Sequence, residues 1–186
     1  REWSHNQEIQ FSTVLYRDGR TTDFTLFKHL LKPGYMKILD LGCNGSGVKK
    51  KLEKLGYDAW GADLPAVIRR VDPNFLFNSQ YSKLLTCNLD TGDIPGGGYN
   101  LVLALGVIEH LVRYDLFFSK VVNVIAPEGI VLVSTCNYEA VKEERHHYHH
   151  FTPEELKKLA ESSGLVTTRI SFPSKTSLVG EFQRRD

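Results

Sequence analysis

The segment Met36–Leu41 (MKILDL) constrains this chain most. It is short and mostly apolar, and it ends at an acidic residue. It then runs straight into Gly42-Cys43-Asn44-Gly45-Ser46-Gly47 and a helical stretch, Val48–Leu55. A run of this kind fits a strand buried on both faces, as strands of a parallel sheet are. In the stretch after it, Val48, Leu52 and Leu55 share one face and Lys49–Lys51 and Lys54 largely occupy the other. Gly56 suits the helix stop.

The pattern recurs along the chain. Further strands are expected at Ala59–Ala62, Leu84–Leu89, Asn100–Leu105, Ile130–Thr135 and Leu165–Phe172, with Ser177–Arg184 as an edge strand. Helices are expected from Pro65 to about Val71, over Val107–Ile125 in one or two pieces, and from Thr152 to Ser163. The last opens with Thr at the cap, Pro at the first position and Glu155 three residues on. Phe24, Phe27, Leu30 and Leu31 place a helix of the N-terminal segment, residues 1–33, on the outside of an α/β core formed by 34–186. Strands alternating with helices predict a doubly wound α/β domain with a mostly parallel sheet and helices on both faces.

With 186 residues, 41% hydrophobic and 24% charged, the chain reads as one ordered domain that needs no staples. The net charge of +1 offers no general electrostatic attraction for nucleic acid or membrane. Cys43, Cys87 and Cys136 are too few and too far apart for a disulfide framework, which points to a reducing, cytoplasmic setting. No apolar run reaches the ~20 residues of a membrane-spanning helix.

In doubly wound folds ligands lie beyond the carboxyl ends of the strands. Those ends carry Asp40 and the glycine turn, Asp63-Leu64, Asn88-Leu89-Asp90, and Gly106 through Glu109-His110. Glycines let backbone approach a ligand, and an acidic residue closing the second strand can accept hydrogen bonds from two ribose hydroxyls.

The segments Lys37–Gly45, Gly61–Leu64, Tyr99–Leu111, Ile125–Thr135 and His150–Leu156 together resemble the class I S-adenosylmethionine-dependent methyltransferases, over roughly residues 22–172. The resemblance implies a seven-stranded Rossmann-like sheet and S-adenosyl-L-methionine as cofactor. It implies that Asp40 and the backbone of Gly42, Cys43, Asn44 and Gly45 hold the methionine end, and that Asp63 binds the ribose with Leu64 beside the adenine. Asn88 and Leu89 would meet the adenine edge, and the backbone of Leu105 the cofactor's amino group. Asn44 and Ser46 stand where the family has glycine, with Gly47 one residue late, and Asn88 and Asn100 where Asp is commoner.

His110 is the first candidate for a catalytic base and His147 the second, although Glu109-His110 would equally suit the start of a surface helix. His146-His147-Tyr148-His149-His150 is an unusual cluster, read either as part of a solvated lid over Asn137–His150 or as a substrate clamp. No metal is expected. If one is held, Glu109, His110, His146 and His150 are the candidates, by similarity to small-RNA 3′-end methyltransferases, whose E-x-x-E-H motif lacks its first Glu here because position 106 is Gly. Lys49–Lys51 reads as a solvated helix face. Cys43 and Cys87 read as small hydrophobes beside the cofactor.

Methyl transfer to a small molecule is the leading expectation, with a nucleic-acid or protein acceptor as alternatives. A non-catalytic cofactor-binding subunit remains open. So does a nicotinamide enzyme, although G-x-G-x-x-G does not fit the frame of Gly42, Asn44 and Gly47.

Overall fold

The computed structural model describes residues 13–15, 21–74, 82–138 and 147–185, and the side chains of 13–15 and 21–23 fall outside that description. Among the described residues, β1 (Thr13–Leu15) and β2 (Thr21–Asp23) form a small antiparallel pair. Seven further strands form the main sheet: β3 (Lys37–Leu41), β4 (Asp58–Asp63), β5 (Leu84–Thr86), β6 (Tyr99–Leu105), β7 (Ile125–Cys136), β8 (Leu165–Ser174) and β9 (Ser177–Arg184). Their order is β5-β4-β3-β6-β7-β9-β8, and β9 alone runs opposite to the other six. The helices are α1 (Gly47–Lys54), α2 (Pro65–Val71), α3 (Phe117–Val122) and α4 (Pro153–Ser162). This is the doubly wound, Rossmann-like architecture expected from the alternation.

The central strands are buried on both faces, with alternate residues entering different cores. Ile38, Leu101, Leu103 and Leu132 pack with Val48 and Leu52 of α1 and with Phe24, Phe27 and Leu30. Leu39, Leu41, Val102, Ala104, Val131 and Val133 face the opposite way, toward Phe117, Phe118 and Val121 of α3 and Leu156 and Ala160 of α4. A period of two along each strand thus binds a helical layer on either side. The α4 start forms as read: the Thr152 hydroxyl accepts the Glu155 N–H at 3.2 Å, and Glu155 Oε2 accepts the Thr152 N–H at 2.9 Å.

The structure departs from the sequence reading in several places. The expected N-terminal helix is a pair of 3₁₀ turns, Phe24–Leu26 and Lys28–Leu30. The reason lies in the spacing: Phe24, Phe27 and Leu30 recur every three residues, which stacks them on one face of a 3₁₀ rather than an α turn. The stretch 107–125 breaks into 3₁₀ turns Ile108–His110 and Tyr114–Leu116 before α3. Asp90 Oδ1 accepts the Arg113 N–H at 2.8 Å, which diverts that donor from a helix ladder. Strand β7 begins at Ile125, with Pro127-Glu128-Gly129 as a bulge that moves the register from Tyr99↔Ile125 to Leu101↔Ile130. Lys49, expected in solvent, is 4% exposed and ion-paired to Glu53 at 2.9 Å. Its stem packs while its ammonium finds a carboxylate.

The order of strands reverses between β3 and β6. The chain leaves β3 for β4 and β5 on one side, then returns to β6 and β7 on the other. The crevice at this switch point opens at the carboxyl ends of β3, β4 and β6, which is where a ligand belongs in such a sheet.

Candidate active site

At the end of β3 the backbone turns sharply into α1. Gly42 (φ +67), Asn44 (φ +42) and Ser46 (φ +59) all adopt left-handed conformations. Asn44 tolerates this better than Ser46 does, because asparagine visits the region more readily. A side chain at Gly42 would place its Cβ 2.5 Å from Val107 Cγ2, so the turn from β3 and the turn from β6 lie in close contact. The Gly42 N–H donates to the Ala62 carbonyl at 2.8 Å, which ties the same turn to the end of β4.

Asp63 closes β4. Its Oδ2 accepts the Asn44 N–H at 2.8 Å and its Oδ1 the Leu64 N–H at 2.7 Å. Each oxygen keeps a further lone pair for a ligand hydroxyl. Burial raises the Asp63 pKa, against the two N–H bonds and the Arg70 charge that lower it. Asp40 lies behind the turn, 2% exposed, and accepts the Lys49 N–H of α1. Its Oδ2 is buried with no hydrogen-bond partner among the described residues. Burial pushes the Asp40 carboxyl up to about 8, and the Asp63 charge adds to the effect.

These ends surround a cavity of about 690 Å³. One half is lined by Gly42, Asn44, Asp63, Leu64, Asn88 and Leu89. Glu109, His110 and His147 line the other, with Leu105, Gly106 and Val107 between the halves. The cavity thus brings together Gly42, Asn44, Asp63, Leu64, Asn88, Leu89, Leu105, His110 and His147 from the expected site residues. Asp40, Cys43 and Gly45 are not on its wall; Cys43 is fully buried, and burial raises its thiol pKa. His146 lies outside the described residues, with the rest of 139–146 from the expected lid. His150 is not on the wall either; its Nε2 lies 3.0 Å from His147 Nδ1.

The half lined by Glu109, His110 and His147 is assembled from two separate segments. Glu109 sits in the 3₁₀ turn after β6, 3% exposed, and its Oε2 has no hydrogen-bond partner among the described residues. Burial raises its pKa, while its own backbone N–H, the His110 charge and the Thr135 hydroxyl act the other way. The Glu109 carbonyl accepts the Tyr148 N–H at 2.8 Å, which fastens the histidine segment over the turn. The His110 and His147 rings meet edge to face, 4.8 Å between centroids. Gly106 has φ +67, so this backbone suits glycine rather than the missing first Glu of the E-x-x-E-H motif.

The family model described as a methyltransferase domain matches residues 15–186. The chain belongs to this methyltransferase family. Among relatives, the ubiquinone biosynthesis O-methyltransferase of Chelativorans sp. (strain BNC1) is 29% identical over 105 residues, covering 55% of this chain and 41% of that enzyme. The chain therefore spans about two fifths of the length of such curated relatives. The crystal structure of an S-adenosylmethionine-dependent methyltransferase from Mesorhizobium loti superposes with a TM-score of 0.68 at 16% identity, covering 86% of this chain and 96% of the other. The Burkholderia thailandensis 1,6-didemethyltoxoflavin-N1-methyltransferase, solved with its acceptor and S-adenosylhomocysteine, gives 0.63 at 16% identity, with 87% and 76% covered. At these identities the structural likeness establishes the fold.

Sequence reasoning missed several residues of this methyltransferase site. Val67, Arg70 and Leu111 also line the cavity, together with Cys87, which was expected beside the cofactor. Val67 and Arg70 follow Leu64 at intervals of three, along one side of a helix that starts at the site, so their reach was readable from spacing. Cys136, the last residue of β7, lies with Glu109 and His147 so that one ligating atom from each falls within 4.8 Å of the others. Its position at a strand's carboxyl end was the available signal.

Proposed function

We propose that this domain transfers the methyl group of S-adenosylmethionine to a hydroxyl of a small-molecule acceptor. The observation that supports the reading best is the divided cavity. A paired-up carboxylate and exposed backbone line one half, and titratable side chains gather in the other. The names of the O-methyltransferase relatives favour oxygen as the accepting atom.

The chain's own residues fit the cofactor. Asp63, held by two backbone N–H groups, keeps lone pairs for the ribose hydroxyls. Leu64, 45% exposed beside it, offers an apolar surface to the adenine. The exposed Asn88 and the Leu89 backbone face the adenine edge. The Gly42 turn, which has no room for a Cβ, lets main chain approach the amino-acid tail. When bound, the cofactor supplies a methyl group already activated by its sulfonium charge.

The protein's part is then to place and deprotonate the acceptor. Holding donor and acceptor in line accounts for ~7–11 kcal/mol of the barrier. His110 takes the acceptor's proton as the oxygen lone pair forms the new C–O bond and the C–S bond breaks, leaving S-adenosylhomocysteine. Calorimetry with S-adenosylhomocysteine tests the cofactor half, and a radiolabel transfer assay with small-molecule extracts tests the acceptor half. Stabilisation by NAD or NADP in place of S-adenosylhomocysteine would overturn the reading. Cofactor binding with no labelled product in any extract would reduce it to a binding role.

A further inference from the structure

We propose that Glu109, Cys136 and His147 form a three-ligand site for a thiophilic divalent cation of the zinc class, with its open position facing the acceptor half of the cavity. The ligating atoms come from three elements: the turn after β6, the carboxyl end of β7, and the histidine segment pinned to the Glu109 carbonyl. They lie within 4.8 Å of one another. Tetrahedral ligation with bonds of ~2.0–2.3 Å sets such atoms ~3.3–3.6 Å apart. Closing the difference needs about an ångström of side-chain adjustment, within reach of a half-buried histidine and a carboxylate.

Glu109 supplies an independent observation. A carboxylate 3% exposed whose Oε2 has no hydrogen-bond partner among the described residues is costly to bury. A cation against that oxygen would satisfy it. His147 has the support that a ligating imidazole usually has, since its Nδ1 is 3.0 Å from His150 Nε2. With Nδ1 as the donor, that bond fixes the ring in the tautomer a metal-ligating histidine needs. The donor set of one sulfur, one nitrogen and one oxygen favours zinc, or cobalt in its place, over magnesium or calcium, which prefer all-oxygen shells. Three protein ligands with an open fourth position is the arrangement of a catalytic rather than a structural zinc.

Binding of the ion stands apart from methyl transfer. Its use there, drawing an acceptor hydroxyl onto the open position and lowering that hydroxyl's pKa for His110, rests on the function proposed above.

The test is titration of the reduced, chelator-stripped chain with Co²⁺ and then Zn²⁺, reading the cobalt–thiolate charge-transfer absorption. We expect one equivalent of cobalt to bind and zinc to displace it. Cys136→Ser should abolish the band, while Cys43→Ser and Cys87→Ser keep it. Glu109→Gln should weaken zinc binding at least about tenfold. No stoichiometric binding, or an unchanged band in Cys136→Ser, overturns the site. If Cys136→Ser fails to fold, His147→Ala decides the matter: undiminished zinc affinity there overturns the site equally, and a loss of about tenfold or more supports it. The readout needs no cofactor, so failure here leaves methyl transfer standing, and failure of S-adenosylhomocysteine to bind leaves the metal site standing.

Discussion

The two halves of the cavity are built by different means. In the half proposed for the cofactor, polar groups are held by main chain: both Asp63 oxygens accept backbone N–H groups, and Asp40 behind the turn accepts another from α1, although its Oδ2 has no partner among the described residues. On the acceptor side, side chains meet side chains from distant segments, and Glu109 Oε2 is left over. A site held by backbone is set by strand register and tolerates few changes. A site held by side chains can change its chemistry one residue at a time, which suits the half proposed to recognise an acceptor.

Two glycines with the same φ of +67 sharpen the contrast, and they carry the largest expected effect. Gly42 lies 2.5 Å, by way of its missing Cβ, from Val107 Cγ2, whereas the nearest group to Gly106 is Glu109 Oε1 at 3.7 Å. Alanine at either position bears the left-handed backbone cost of ~1–2 kcal/mol. At Gly42 it also overpacks a tight contact, for a further ~1–3 kcal/mol. Chemical denaturation should show Gly42→Ala losing clearly more stability than Gly106→Ala. Equal losses would mean the cofactor-side turn is looser than the structure shows.

Asp63→Ala should weaken S-adenosylhomocysteine binding by about 100-fold. Two hydrogen bonds to a charged group contribute ~1.5 kcal/mol each. His110→Ala should instead leave that affinity within about twofold and lower the transfer rate ~10²–10⁴-fold, the ordinary contribution of a general base. If His110→Ala weakens cofactor binding as much as Asp63→Ala does, the two halves do not divide the work.

How far these halves were legible in the sequence follows from how each is held. Asp63, Leu64, Asn88, Leu89 and Gly42 stand at or just beyond the carboxyl ends of short apolar runs, which is where a doubly wound sheet holds its ligands, and the family resemblance implied their roles. Cys136 and His147 come together only through the bridge from Asn137 to Phe151 and the hydrogen bond from Tyr148 to Glu109, which are long-range contacts that no local pattern announces. Asp40 marked the right place but not its own orientation. It turns inward to accept the Lys49 N–H in the first turn of α1. The 3₁₀ turns at 24–30 were missed because a spacing of three was taken as the edge of a helical stripe.

Asp40 also makes stability depend on pH. Its carboxyl moves from 3.8 in the unfolded chain to about 8 in the folded one, by burial. Between those values the native state holds a proton that the unfolded chain has released. Stability therefore falls as pH rises through this window, with a slope of at most ~1.4 kcal/mol per pH unit, and levels off above it. Asp63, also raised, acts in the same direction. Thermal melts of Asp40→Asn should fall less steeply between pH about 5 and about 8 than those of the parent chain. Parallel curves would show that Asp40 is not the group that titrates.

The smallest expected effect concerns the positions where this chain lacks its family's glycines. Ser46 is fully buried, caps α1 from a left-handed conformation (φ +59), and makes no side-chain cap bond. Its hydroxyl lies 3.9 Å from Cys43 Sγ, a weak contact. Replacing it with glycine removes ~1–2 kcal/mol of backbone strain and adds ~0.5–1 kcal/mol of unfolded-chain entropy. Glycine is itself an acceptable helix cap, so the cap contributes little to the balance. The net is a gain of about 0.5–1 kcal/mol, or a rise in Tm of ~1–4 °C for a chain of this size. Asn44→Gly should gain less, since Asn bears the conformation more easily and its N–H donates to Asp63 in either case. A loss of stability in Ser46→Gly would mean that the buried hydroxyl, through Cys43, holds the turn more firmly than its backbone strain loosens it.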